Sequence, residues 1–159
     1  MLCTISDLYK LNRRFEESRE ILLLAYERHP GGRMIVYSLC ELSIKLDDVV
    51  QAVEYYKEKE VNMFFFVPSI LVNIANMDIL KTCRPEFTKI LFAGEVMPTK
   101  QLNYWIKHYP NTLFSNLYGP TEITVDCTFY TVDRKFEDNE PLPIGKKCRN
   151  SDVIISLFC

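Results

Sequence analysis

Residues 62–80 read NMFFFVPSILVNIANMDIL, and this stretch contains two different hydrophobic patterns. Its first six residues, NMFFFV, form a short apolar and aromatic run that is typical of a buried strand. Residues 69–80 carry a helical pattern, with Ser69 placed to cap the start of the helix. The stretch therefore predicts one strand followed directly by one helix.

The same alternation continues towards the C-terminus. Residues 88–93 (TKILFA) and 112–116 (TLFSN) are further strand-like runs, and residues 98–109 (PTKQLNYWIKHY) form a helical pattern with Pro98 in its first turn. Strands that alternate with helices pair in parallel, so residues 61–159 are predicted to be an α/β layer. Residues 127–132 (CTFYTV) and 153–157 (VIISL) add two predicted strands.

Residues 1–60 differ in composition from the rest of the chain. They hold one of the eight prolines, Pro30, and their apolar or small residues recur with helical spacing. Helices are predicted before Pro30, over about residues 34–45, and after the capping pair Asp47 and Asp48. This shift places a boundary near residue 60.

A 34-residue offset aligns the helical patterns of this first part. It pairs Leu8 with Leu42 and Ser18 with Ala52, and likewise Phe15 with Val49 and Leu22 with Tyr56. These positions resemble the tetratricopeptide repeat, which would imply a peptide or protein partner. A plain antiparallel helical hairpin has the same spacing, so both interpretations stay open.

The composition disfavours several classes of partner and site. The formal net charge of −2 gives no general attraction to nucleic acid or to an acidic membrane. The six cysteines include no CxxC pair, which disfavours a metal site and favours reduced thiols. No targeting segment or membrane span is recognisable, so a cytoplasmic location is expected.

Three polar loops follow the predicted parallel strands. They are residues 67–69 (VPS), 93–98 (AGEVMP) and 116–122 (NLYGPTE). Ligands of an open parallel sheet bind beyond the carboxyl ends of its strands, so these loops are the predicted binding edge.

NLYGPTE resembles the aromatic–Gly–x–Thr–Glu core motif of the AMP-forming adenylating enzymes. The blocks FVPSIL (66–71), LFAGEVMP (91–98) and PLPIGKKCRNSDVII (141–155) resemble further blocks of that superfamily, in the same order. Over about residues 50–155 the chain is most similar to D-alanine–carrier-protein ligases and amino-acid adenylation domains. The fold expected is therefore a partial parallel-sheet subdomain of an adenylation domain, preceded by an α-helical hairpin repeat.

The resemblance implies ATP and Mg²⁺ as ligands and assigns a role to each motif residue. Tyr118 would stack on adenine, Asn116 would bind the edge of the base, Thr121 would bond the α-phosphate, and Glu122 would hold Mg²⁺. Thr121 and Glu122 are thus the implied catalytic residues. The implied nucleotide-binding residues are Gly94, Glu95, Asn116, Tyr118 and Gly119. A core aromatic at Tyr118 and simple turn glycines remain alternatives.

The resemblance also implies an acid pocket, a small amino acid as substrate and a carrier protein as partner. The matching pocket positions are mostly apolar, which suits a small or apolar acid, and core packing is the alternative. They are Phe66, Leu91, Ala93, Leu117, Val125 and Asp126. Asp126 would either recognise a polar group or face solvent.

Three parts of the parent pattern have no counterpart in the 159 residues. They are the glycine-rich phosphate loop with its lysine, the ribose-binding aspartate and the catalytic lysine of the C-terminal domain. The sequence is therefore expected to be an internal segment of an adenylating ligase that is inactive alone. The junction with the helical part would lie within residues 53–62, as a natural fusion or an error of assembly.

Overall fold

The computed structural model describes residues 2–29, 32, 35, 38–39, 41–43, 48–119, 126–149 and 151–154. The chain divides into two compact units. One consists of Met1–Val61 with Lys81–Pro85, and the other consists of Asn62–Leu80 with Glu86–Cys159. No helix among the described residues is long and apolar enough to cross a membrane.

The first unit contains three complete described helices, α1 (Leu2–Leu11), α2 (Phe15–Arg28) and α3 (Val49–Glu58). The expected apolar face of α2 is buried through Ser18, Leu22 and Ala25. The predicted cap of α3 is also present, because the Asp48 carboxylate accepts a hydrogen bond from the Gln51 N–H at 3.1 Å. Both helices therefore form where the apolar spacing and the cap predicted them.

Small residues let α1 and α2 approach closely. The Ser6 and Ser18 hydroxyls share a 2.8 Å hydrogen bond, and Ser18 Oγ also donates to the Ser6 carbonyl at 3.0 Å. The 34-residue offset is only partly reflected in burial, because Leu42 is fully buried whereas Leu8 is 57% exposed. The tetratricopeptide interpretation stays a prediction, and so does the boundary at residue 60.

The second unit is built on a five-stranded sheet in the order β1-β2-β3-β4-β5. The strands are β1 (Met63–Phe66), β2 (Lys89–Phe92), β3 (Leu113–Tyr118), β4 (Thr128–Thr131) and β5 (Lys146–Lys147). The pairs β1–β2 and β2–β3 are parallel, as predicted, whereas β3–β4 and β4–β5 are antiparallel. The α/β class is thus confirmed, with parallel pairing among β1, β2 and β3.

Two helices lie in the connections between the parallel strands. They are α4 (Pro68–Asn76) and α5 (Thr99–His108), and a 3₁₀ turn follows α4 at Ile79–Lys81. Trp105 of α5 is fully buried, stacks on Phe64 of β1 with ring centroids 6.0 Å apart, and donates its Nε1–H to the Leu71 carbonyl of α4 at 2.9 Å. One indole ring therefore joins both helices to the sheet.

Two local predictions need correction. Helix α4 begins at Pro68, not after a Ser69 cap, because the fixed φ of proline suits the first helical position. The fifth strand lies at Lys146–Lys147, whereas Val153 and Ile154 of the predicted strand 153–157 are irregular and exposed. The other three residues of that predicted strand lie outside the described part of the chain.

Candidate functional site

The carboxyl ends of β1, β2 and β3 lie side by side in the sheet. Phe66 is in register with Phe92, and Phe92 is in register with Asn116. Because the three strands are parallel, the loops that leave them emerge at one edge. The structure therefore brings the starts of the three predicted loops to one edge of the sheet.

A carboxylate joins the first two of these loops. Glu95 Oε2 accepts the Ser69 backbone N–H at 2.8 Å, and Glu95 Oε1 accepts the Ser69 hydroxyl at 3.3 Å. The bonded amide belongs to the first turn of α4, where amides lack helical partners and a negative charge is favoured. Glu95, a predicted nucleotide-binding residue, thus has a structural partner that spacing along the sequence did not reveal.

Gly94 occupies a backbone conformation that favours glycine. Its φ is +87°, in the left-handed region that residues other than glycine rarely adopt. A Cβ built on Gly94 would lie 3.7 Å from Val67 Cγ1, which is an ordinary contact distance. The loop after β2 therefore needs glycine for its conformation, and the space beside it remains open.

The end of β3 carries the two residues predicted to bind adenine. Asn116 Nδ2 donates to the Pro143 carbonyl at 3.0 Å, which ties the strand to the segment 141–145. The side chain of Tyr118 is 48% exposed, so it is not a core aromatic. An exposed ring at this edge fits the flat face of a base, and Gly119 beside it is half-buried.

Three predicted site residues belong to the segment between β3 and β4. Thr121, Glu122 and Val125 lie outside the described residues, and so does the magnesium site predicted at Glu122. Within the described ranges, no group of three or more His, Cys, Asp or Glu side chains could hold a metal ion. The catalytic assignments therefore stay predictions.

The predicted acid pocket is divided by the pleat of the sheet. Leu91 and Leu117 lie on one face, because Leu91 is in register with Ser115 and side chains alternate along a strand. Phe66 lies on the other face, where its ring is 4.9 Å from that of Phe64. Ala93 follows β2 and is half-buried.

Asp126 is the charged member of the predicted pocket. It is half-buried just before β4, and burial raises the pKa of its carboxyl above the ordinary range. Because burial disfavours the charged form of this carboxyl group, a cationic or hydrogen-bonding ligand group would stabilise it.

Comparison with known proteins finds similarity to peptide synthases and to carrier-protein ligases. Bacitracin synthase 1 of Bacillus licheniformis is 29% identical over 102 residues, which are 64% of this chain and 2% of that protein. The D-alanine--D-alanyl carrier protein ligase of Listeria monocytogenes is 40% identical over 62 residues, which are 38% of this chain and 12% of that protein. The crystal structure of IdnL1 superimposes with a TM-score of 0.54 and 25% identity, over 62% of this chain and 20% of that one.

The chain thus spans a small part of the relatives that it resembles. The family model for the AMP-binding enzyme matches residues 31–156. This match begins about 30 residues before the predicted boundary, so it includes the helix predicted over about residues 34–45 and the one after Asp48. Because the match covers most of the chain, the chain belongs to the AMP-binding enzyme family.

Proposed function

We propose that this chain provides the adenine- and acid-binding edge of an ATP-dependent ligase that activates a small amino acid as its acyl-adenylate. The single observation that carries the proposal is that the three motif loops begin side by side at the carboxyl edge of β1, β2 and β3. D-alanine or a similar amino acid is the proposed substrate, and a carrier-protein thiol is the proposed acceptor. The similarity to a D-alanine--D-alanyl carrier protein ligase supports both.

The described residues fit a purine base. Tyr118 exposes its ring at the edge, Asn116 is fixed there by its bond to Pro143, and Gly94 leaves open space beside its own loop. When ATP and Mg²⁺ are bound, they supply the electrophilic α-phosphate and the charge that stabilises it. The chain's own part is to orient the base and the acid so that the acid carboxylate attacks in line.

Glu95 fits a supporting position better than direct contact with phosphate. Its carboxylate is bonded to Ser69, and a second anion beside it would be repelled. In the proposed function, Glu95 holds the loops after β1 and β2 at a fixed separation. Asp126 would contact a polar group of the bound acid, and Leu91 and Leu117 would contact its apolar part.

Nucleotide binding is tested by titrating ATP into the chain, with binding measured by calorimetry. Replacement of Tyr118 by Ala should weaken binding about tenfold, because stacking of one base on an aromatic ring contributes ~1–3 kcal/mol. Tyr118→Phe keeps the ring and is the matched control, so it should bind nearly as well as the unchanged protein. Equal affinities of the Ala and Phe variants would contradict the stacking role.

Catalysis is tested separately by pyrophosphate exchange with small amino acids. We expect no exchange from the 159-residue chain, because the phosphate-loop lysine of the parent pattern has no counterpart in it. Robust exchange would contradict this expectation. Binding of ATP without exchange is therefore the combined result that the proposal predicts.

A second candidate function is peptide binding by the helical part. Leu8, Leu11 and Leu24 are 57%, 80% and 39% exposed on α1 and α2, which would suit an apolar peptide. The test is affinity capture with the full chain and with a Leu8→Ser, Leu11→Ser variant. A peptide partner that binds both proteins equally would count against this surface.

A further inference from the structure

Two cysteines oppose each other at the end of the β4–β5 pair. Thr128 is in register with Lys147, so Cys127 and Cys148 are the next opposed residues. The pairing continues to them, because the Cys148 N–H donates to the Cys127 carbonyl at 2.8 Å. Both cysteines are half-buried, and both thiols are free in the structure.

This placement suits a disulfide bond. Because this antiparallel pair is hydrogen-bonded, its opposed Cα atoms are expected ~5.5 Å apart, which lies within the range of ~4.4–6.8 Å found in disulfides. Opposed side chains also project from the same face of the sheet. Half-burial leaves the thiols accessible to small reagents, whereas Cys83 is 8% exposed and burial raises the pKa of its thiol.

We propose that Cys127 and Cys148 are a modification site at which a reversible disulfide forms by exchange with a small-molecule disulfide such as oxidised glutathione. One protein thiolate attacks the reagent and forms a mixed disulfide, releasing one small thiol. The second protein thiolate then attacks the protein sulfur of that mixed disulfide and releases the second small thiol. Two protein thiols are oxidised, one small disulfide is reduced, and the two protons leave on the released thiols.

The bond would act directly beside the binding edge. The Cys127 N–H donates a hydrogen bond to the Tyr118 carbonyl at 2.8 Å, and this bond holds Cys127 at the end of β3. A disulfide to Cys148 would fix β5 to this point covalently. The inference does not depend on the proposed function, because it rests on the geometry of β4 and β5 alone.

The test uses the full, reduced chain in buffer with oxidised glutathione. Exchange is stopped with acid, free thiols are blocked, and the disulfide-linked peptides are identified by mass spectrometry after proteolysis. We expect the peptide pair joining Cys127 to Cys148 to predominate and to disappear when reduced glutathione is added in excess. In guanidinium chloride its share should fall at least about fivefold, because six cysteines allow about 15 pairings in an unfolded chain.

Two variants complete the test. Cys148→Ser should abolish the linked peptide pair, and Cys83→Ser should leave its yield unchanged. The proposal is overturned if the folded chain gives only mixed disulfides at Cys127 and Cys148, or no oxidation at either. It is also overturned if either cysteine pairs mainly with another one, or if the share is the same in buffer and in guanidinium chloride.

Discussion

Two glycines of the second unit have nearly the same positive φ in different surroundings. Gly94 has a φ of +87° and Gly145 has a φ of +82°. A Cβ at Gly145 would lie 2.0 Å from the Phe129 carbonyl oxygen, whereas a Cβ at Gly94 would meet only Val67 Cγ1, at 3.7 Å. Alanine substitutions at the two positions therefore separate backbone strain from steric exclusion.

The strain is common to both substitutions. A left-handed conformation costs alanine about 1–2 kcal/mol, and the loss of freedom in the unfolded chain returns ~0.4–1 kcal/mol. Gly94→Ala should therefore lower the free energy of unfolding by about 1 kcal/mol. At Gly145 the contact with Phe129 can be relieved only if β5 moves away from β4. That movement sacrifices backbone hydrogen bonds of about 1 kcal/mol each, so Gly145→Ala should lose about 3 kcal/mol or more.

Urea unfolding followed by circular dichroism gives the two free energies, and amide hydrogen exchange locates the change. In Gly145→Ala the amide of Cys148, which donates to the Cys127 carbonyl, should exchange much faster than in the unchanged protein. In Gly94→Ala it should exchange at the original rate.

Equal destabilisation by the two substitutions would refute the reasoning, because it would show that close approach to Phe129 adds nothing to backbone strain. A Gly145→Ala protein that keeps both its stability and its Cys148 protection would refute it as well.

Three further predictions concern the helices and their contacts. Trp105→Phe should lower the free energy of unfolding by about 3 kcal/mol in urea denaturation, because it removes the bond to Leu71 and leaves a void of ~40 Å³. Burial, and then the hydrogen bond to Asp78, raise the pKa of Tyr104 to about 12. The phenol of the unfolded chain titrates at about 10, so the free energy of unfolding that the neutral phenol contributes is fully present below that pH and is lost as the pH rises towards 12. Phenolate absorbance would follow the titration, and thermal melting at alkaline pH, with Tyr104→Phe as the control, would follow the loss of stability. Glu95→Gln should speed amide exchange in the first turn of α4 about two- to fivefold, because it removes a charge beside the helix N-terminus.

The sequence predicted those helices and strands that are determined by residues close together in the chain. The spacing of Ser18, Leu22 and Ala25 identified α2, and Asp48 identified the start of α3. The alternation of apolar runs with helical segments likewise predicted the parallel pairs β1–β2 and β2–β3. In each case the residues that determine the element lie within it or beside it.

Contacts between distant residues were not predictable in this way. Strand β5 consists of two lysines, so it lacks the apolar alternation that marks a strand, and it forms because Gly145 permits close approach to Phe129. The bond from Ser69 to Glu95 joins residues 26 positions apart, and no spacing rule connects them. The 21-residue spacing of Cys127 and Cys148 matches no cysteine motif, so their opposition across β4 and β5 was not predicted either.

The ancestry of this chain and its activity depend on different residues. Membership of the family rests on the match over residues 31–156, and three strands of that region end at one sheet edge, where Tyr118 is exposed and Glu95 accepts a hydrogen bond from α4. Activity would depend on Thr121 and Glu122, whose segment is flanked by Tyr118 and Cys127. Because the Cys127 N–H donates a hydrogen bond to the Tyr118 carbonyl, the two residues that flank this segment are held together at the end of β3. A perturbation of β4 or β5, such as Gly145→Ala, should therefore weaken the proposed ATP binding in calorimetry although it changes no residue of the motif.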